Sequence, residues 1–354
     1  VKDTKIKNYP TVYKLEIKNK LNDISLKSTE NIKIILALTV RNEMEYGEHL
    51  IMQLNDVLKL DYDDIVVLDD GSTDGTWDIL KQYSNKDNRL HIFRNEQNSI
   101  LTHGRNRWIT LIEKCALYNP TWIHFRACDQ LHSKDFNNNL RDIVEFFHVR
   151  GARLVKFPLA HLWRSTSWIR YDDVWQKDVE NHSRFQLWRF YKDYSYKPHR
   201  QRALLHLGGH LPNTWSPYKE SVPYNVNLYY RNKKIGGFWR IVALHYGHTT
   251  HEKKEQKFRL TMEAAKNGFS IGCPGPEEMP SPSDWIYYNG YKGFYEFNLN
   301  LKKVPSFWFE NYVEEGVPEI KSFFNVIKEY NFTRAYEYQI LYQKHIKDIP
   351  ILVD

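Results

Sequence analysis

Cysteine is scarce in this 354-residue chain, with three residues at positions 115, 128 and 273. An odd, widely spaced set argues against a disulfide framework and fits a reducing compartment, so the cytoplasm is the expected location. The sequence also lacks a run of about eighteen or more apolar residues and the apolar stretch of a signal peptide, so neither a spanning helix nor a secretory leader is expected in it. No zinc finger, RNP motif or basic helical stripe is present, and nucleic acid is not an expected partner. Cys-x-x-Cys and His-Glu-x-x-His are missing too, which removes the sharpest zinc patterns. No repeat occurs at solenoid periods. The chain opens at Val1 instead of Met, as a processed or excised piece of a longer protein would.

What is present is enough apolar residue, 42% of the chain, to build a sizeable core in one large domain or two. Aromatic residues make up 15%, including 11 Trp and 24 Tyr, a composition suited to sugar platforms as well as to packing. The formal net charge of +7 favours phosphate-bearing ligands and admits a peripheral contact with an anionic membrane.

Residues 1–31 are rich in Lys and Asn and read as an arm or linker. Residues 32–40 form an unbroken apolar run, a first strand, followed by a helix over 46–58 with apolar residues at Leu50, Leu54, Val57 and Leu58. The unit repeats with a strand at 64–68 and a helix at 76–83, then with a strand at 90–94 and a helix at 102–117. Three βα units in a row predict a parallel, doubly wound sheet. A fourth strand at 122–127 ends at Cys128-Asp129-Gln130, a helix runs from 133 to about 149, and a fifth strand covers 152–160. Short aromatic segments follow. We divide the chain into residues 32–150 as a ligand-binding half, 151–273 as an acceptor-side half that adds to the same sheet, and 274–354 as a Pro-rich linker with an aromatic-rich, helical C-terminal extension.

The chain is organised around Val66-Val67-Leu68-Asp69-Asp70-Gly71-Ser72-Thr73-Asp74-Gly75-Thr76. A buried strand empties there into acids, glycines and hydroxyls, at the carboxyl edge where open α/β sheets bind ligands. Gly71 and Gly75 permit positive φ, and Ser72, Thr73 and Asp74 are candidate caps for the next helix. The string resembles the nucleotide-binding loop of the inverting family 2 glycosyltransferases, Asp-Asp-Gly-Ser-x-Asp-Gly-Thr. The resemblance covers residues 32–190 in motif order. It implies a GT-A type fold, a Rossmann-like doubly wound mixed sheet flanked by helices, and a nucleotide-sugar donor.

The resemblance also assigns roles. Thr39, Arg41, Asn42 and Glu43 after the first strand, with Asp69 and Asp70 after the second, would hold base and ribose. Arg105 and Asn106 match the Arg-Asn of a segment whose helix begins beneath the diphosphate, although His103-Gly104 replace the usual small pair; an Arg at a helix N-terminus is a sensible anion seat. At Phe125-Arg126-Ala127-Cys128-Asp129-Gln130 the family carries Asp-x-Asp, whose final acid binds Mn²⁺ or Mg²⁺. This chain keeps only Asp129, and one carboxylate rarely makes a tight hard-cation site alone, so metal dependence is in doubt. His245, ending a late apolar run, is the candidate second ligand, as a late His is in several GT-A enzymes. A zinc site drawn from His245, His248, His251, His206 and His210 is the rival to it.

Inverting transfer needs a carboxylate to take the proton of the attacking hydroxyl. Asp172 and Asp173 are the candidates, since adjacent buried carboxylates push one pKa upward; Asp178 and Glu180 stand in reserve. Trp163, Arg170, Trp175 and Arg189 are expected to face donor or acceptor sugar, with Trp168 and Arg184 nearby. The acceptor would be a glycan, a lipid-linked molecule or a protein. Two rivals remain. A sugar-phosphate nucleotidyltransferase would show a Gly-rich first loop, which Thr39-Val40-Arg41-Asn42-Glu43 is not, and a catalytically inactive glycan-binding module would tolerate the incomplete Asp-x-Asp.

Overall fold

The computed structural model describes residues 31–44, 49–96, 105–149, 154–170, 184–190, 226–227, 234–250 and 301–315. Strands β1 (Ile34–Val40), β2 (Asp64–Asp69), β3 (Leu90–Arg94) and β4 (Trp122–Ala127) lie where the buried runs predict them. They pair in parallel in the order β3, β2, β1, β4. Helices α1 (His49–Val57), α2 (Thr76–Ser84) and α3 (Arg105–Ala116) connect them.

Alternation along the strands shows that both faces are covered. Ile34, Leu36, Leu38 and Val40 pack with Leu50, Leu54 and Val57 of α1. Ile35 and Ala37 face the other way, against Leu111, Ile112 and Cys115 of α3. Buried residues at Leu50, Gln53, Leu54 and Val57 form the helical stripe that docks α1. A strand with neighbours on both edges and helices on both faces has no use for polar residues, which is why β1 reads as a continuous apolar run.

After β4 the chain departs from the expected pattern. A short strand, β5 (Gln130–His132), follows, then two helices in place of one, α4 (Lys134–Asn137) and α5 (Leu140–Val149). The break falls in a run of asparagines. The Asn139 side chain donates to the Asp135 carbonyl at 2.7 Å, while the Ile143 N–H donates to the Asn139 carbonyl at 2.9 Å and starts the next helix.

The expected fifth strand is likewise two strands, β6 (Leu154–Phe157) and β7 (Leu159–His161), divided by Pro158 and belonging to different sheets. After β8 (Trp168–Arg170), strand β9 (Arg184–Arg189) enters the large sheet between β4 and β6 and runs antiparallel to both. With β10 (Val226–Asn227) the order is β10-β6-β9-β4-β1-β2-β3. The second half thus adds to the same sheet and makes it mixed, as the resemblance implies.

Beyond a two-stranded ribbon of β11 (Lys234–Ile235) and β12 (Phe238–Trp239), β13 (Ala243–His245) forms a small sheet with β5 and β7. Strand β14 (Leu301–Lys303) pairs with β8, and Trp308 is buried with Ala160, Leu162, Ile169 and Leu244. Residues 301–315 therefore pack against β8 and the small sheet. No helix among the described residues is long and apolar enough to cross a membrane.

Candidate functional site

The loops after β1 and β2 are tied together by the hydroxyls and acids of the organising motif. Ser72 Oγ accepts the Asn42 N–H at 2.9 Å, and Asn42 Oδ1 accepts the Thr73 N–H at 2.9 Å. Thr76 Oγ1 takes the Glu43 N–H at 2.9 Å and Asp74 Oδ2 the Met44 N–H at 2.7 Å. The Asp70 N–H donates to the Val40 carbonyl at 3.0 Å. Asn42 holds φ at 48°, a left-handed conformation that Asn tolerates better than most residues. Expected caps are thus redirected. Gly75, with φ at 91°, is the N-cap of α2 and no side chain caps it; Ser72 and Asp74 serve the neighbouring loop, although Asp74 Oδ1 also accepts the Thr76 N–H.

Asp69 and Asp70 are fully buried at the end of β2. Asp69 accepts hydrogen bonds from both the N–H and the hydroxyl of Ser72, and Arg94 Nε lies 3.2 Å from Asp69 Oδ2. Burial raises the Asp69 pKa, and the Ser72 bonds and the Arg94 charge pull it back only in part. Asn95 Nδ2 donates to Asp70 Oδ1 at 2.9 Å, and the Arg94 guanidinium lies over the Trp77 ring, 5.4 Å from its centroid. Arg94 and Asn95 were not picked out from the sequence. The signal was there, since Arg94 ends the strand that neighbours β2 and Asn95 follows it. Thr39, Arg41, Asn42 and Glu43 are all part-exposed beside these buried acids.

Asp129 follows β4, on the other side of β1 from β2, so it shares the sheet's carboxyl edge with the two loops. Its loop is fixed from three directions. The buried Arg126 donates through Nε to the Gln130 carbonyl at 2.6 Å and pairs with Asp56 of α1 at 2.8 Å. Gln53 of α1 donates to the same carbonyl. The Tyr246 N–H donates to the Asp129 carbonyl at 2.7 Å, and β13 pairs antiparallel with β5, His245 opposite Gln130.

This register brings together the two expected metal ligands: His245 Nε2 lies 3.0 Å from Asp129 Oδ2. Neighbouring ligands on a six-coordinate ion with bonds of about 2.1 Å stand about 3.0 Å apart, so one carboxylate and one imidazole here fit Mn²⁺, with imidazole less suited to Mg²⁺. The other ring nitrogen of His245 meets a residue not anticipated, His161, at 2.8 Å between the two Nδ1 atoms.

Other expected site residues fall elsewhere. Arg189 pairs with Trp122, the first residue of β4, so it sits at the amino edge of the parallel strands, away from Asp129. An antiparallel β9 reverses the order, and it is Arg184, opposite Phe157 at the end of β6, that lies toward the carboxyl edge. Trp163 is fully buried and stacks on His248 with centroids 4.7 Å apart, so no part of its ring reaches solvent for a sugar to cover. Arg105 and Asn106 open α3 and Arg170 ends β8, strand-paired with Leu301. Asp172, Asp173, Trp175, Asp178 and Glu180, with His206, His210 and His251, lie outside the described residues.

Residues 37–112 match the model of glycosyl transferase family 2. No curated protein sequence matches. Among solved structures, S. aureus TarS is 21% identical over 37% of this chain, with a TM-score of 0.31, and the chain spans 22% of its length. TarS 1-349 in complex with UDP is 14% identical, with 67% of this chain and 65% of that chain covered and a TM-score of 0.36. A mannosyltransferase, PcManGT from Pyrobaculum calidifontis in complex with GDP-Man and Mn²⁺, is 12% identical over 73% of this chain and 69% of that one, at a TM-score of 0.36.

Proposed function

We propose, from the match of residues 37–112 to glycosyl transferase family 2, that this chain moves a sugar from a nucleotide-sugar donor to a glycan, lipid-linked or protein acceptor with inversion at the anomeric carbon. The observation that carries the reading is the pair of cross-bonded loops at the carboxyl edge, with Asp69 and Asp70 at the end of β2 and Asp129 beyond β4 on the other side of β1.

In this reading Thr39, Arg41, Asn42, Glu43, Asp69 and Asp70 seat the base and ribose, and the α3 N-terminus with Arg105 and Asn106 faces the diphosphate. Asp129, with His245 beside it, would hold a Mn²⁺ or Mg²⁺ ion, whose chemistry there is to offset the charge of the departing diphosphate. The acceptor oxygen attacks the anomeric carbon as the bond to the diphosphate oxygen breaks. Its proton passes to a carboxylate, for which Asp172 and Asp173 are the candidates. A single displacement of this kind inverts the centre. A basic chain would suit an acceptor presented at an anionic membrane surface.

Calorimetric titration with UDP, GDP, dTDP and CMP, each with Mn²⁺, Mg²⁺ or EDTA, tests the reading in the wild-type and Asp69→Asn proteins. One nucleotide is expected to bind, and Asp69→Asn to weaken it by about 10- to 100-fold, the worth of a hydrogen bond to a charged group. Because burial opposes the Asp69 charge, the same variant should melt no earlier than wild type. Absence of nucleotide binding under every condition overturns the proposal. The incomplete Ala127-Cys128-Asp129 motif favours a second reading, an inactive glycan-binding module, which binding without donor turnover would identify.

A further inference from the structure

A second histidine cluster lies behind Asp129, and the register of the small sheet builds it. His245 pairs directly with His161 across the parallel β13–β7 ladder, so both side chains leave the same face of adjacent strands. The chain turns after β13 and His248 comes back against them, held by the Arg164 N–H, which donates to the His248 carbonyl at 2.8 Å. One ring nitrogen from each of His161, His245 and His248 lies within 4.8 Å of the other two, and all three residues are buried. The indole of Trp163 covers His248.

We propose that His161, His245 and His248 form a buried site for a nitrogen-preferring divalent ion of the Zn²⁺ or Co²⁺ class, in which His245 uses Nδ1 and donates its Nε2–H to Asp129. This places Asp129 as the carboxylate that orients a metal-bound imidazole, a common partner for such a ring. In this proposal His245 belongs to the buried ion and reaches a cation at the diphosphate only through Asp129, so it replaces the direct His245 ligand to Mn²⁺ considered above. Three imidazoles suit Zn²⁺ and Co²⁺, whereas Mg²⁺ prefers oxygen donors. Tetrahedral ligands at about 2.0–2.1 Å from zinc stand about 3.3–3.4 Å apart. The two Nδ1 atoms, now 2.8 Å apart and sharing a hydrogen bond, must part by about half an ångström when the ion enters. The site would fasten β7 to β13 and fix the Asp129 loop from behind.

The test uses the full chain stripped with EDTA, titrated with Zn²⁺ and with Co²⁺ in the absence of nucleotide. One equivalent of Zn²⁺ should bind, and the Co²⁺ form should show the intense visible absorption of a four-coordinate ion. His161→Gln and His248→Gln should each weaken Zn²⁺ at least about 100-fold, and Asp129→Asn by about 10- to 100-fold, as expected for an orienting partner. No stoichiometric Zn²⁺ on the wild-type chain overturns the proposal. So does binding that survives both His→Gln changes but is abolished by Asp129→Asn, which puts the ion on Nε2 instead. Should either His variant fail to fold, the other variant and the wild-type Co²⁺ spectrum still decide. Since nucleotide is absent, failure here leaves the glycosyltransferase reading standing, and failure of nucleotide binding leaves this site standing.

Discussion

The loops after β1 and β2 and the small sheet of β5, β13 and β7 both hold polar side chains at strand ends, and they do so by opposite means. In the first, residues within two short stretches, 39–44 and 69–76, bond to one another through hydroxyls, carboxylates and left-handed backbone. In the second, residues 129, 161, 245 and 248 are ordinary by type and become a constellation through the register of β5, β13 and β7 and the turn that follows β13. A loop needs unusual residues because its backbone is unusual. A sheet aligns whatever its register places side by side.

Arg126 is where that contrast can be broken most severely, because it ties α1 to the Gln130 carbonyl and so to the strand beside His245. Removing one partner of a buried ion pair costs about 3–5 kcal/mol. Asp56 is 25% exposed, which puts the effect near the lower end. Arg126→Ala should show that loss in urea unfolding and weaken Zn²⁺ while leaving the two loops bonded. Gly75→Ala acts on the loops alone. A Cβ there meets nothing within 4 Å, so the cost is the left-handed backbone at φ 91°, about 1–2 kcal/mol. Unfolding should register that cost, with nucleotide affinity reduced and Zn²⁺ affinity unchanged.

The smallest effect sharpens the comparison by touching neither site. His124 is buried beside Arg126, and burial first, then the Arg126 charge, lowers its pKa well below the ordinary value. It accepts the Tyr62 hydroxyl at 2.6 Å through Nδ1, with His132, Phe136 and Phe157 around the ring. The unfolded chain therefore binds a proton that the folded chain refuses. Stability from this residue is intact above pH about 6.5 and falls as pH drops below it, by at most about 1.4 kcal/mol per pH unit. His124→Gln should flatten that part of the wild-type curve in urea unfolding between pH 7 and 5.

Strands β1, β2 and β4 were legible as buried apolar runs and β3 by its alternating Leu90, Ile92 and following Phe93, and the loop seat was legible because its glycines, acids and hydroxyls are contiguous. Strand β5 escaped notice, since Gln130-Leu131-His132 carries one apolar residue in three. His161 was hidden inside an apolar run, and Pro158 divided that run between two sheets. Arg189 was placed at the sugar because a sequence carries no arrow: the same six residues put Arg184 or Arg189 at the carboxyl edge depending on which way β9 runs. Arg126, in the position a motif reader scans for acids, supports the site from inside the core.

The bonds that cross between residues 39–44 and 69–76 make the two loops one heritable and engineerable unit. Exchanging the second loop for one that lacks the Ser, Asp and Thr of this motif would leave the Asn42, Glu43 and Met44 N–H groups without the Ser72, Thr76 and Asp74 oxygens that now receive them. A graft at this edge keeps the loops joined only if residues 72, 74 and 76 still offer side-chain oxygens and residue 42 still offers one to the Thr73 N–H.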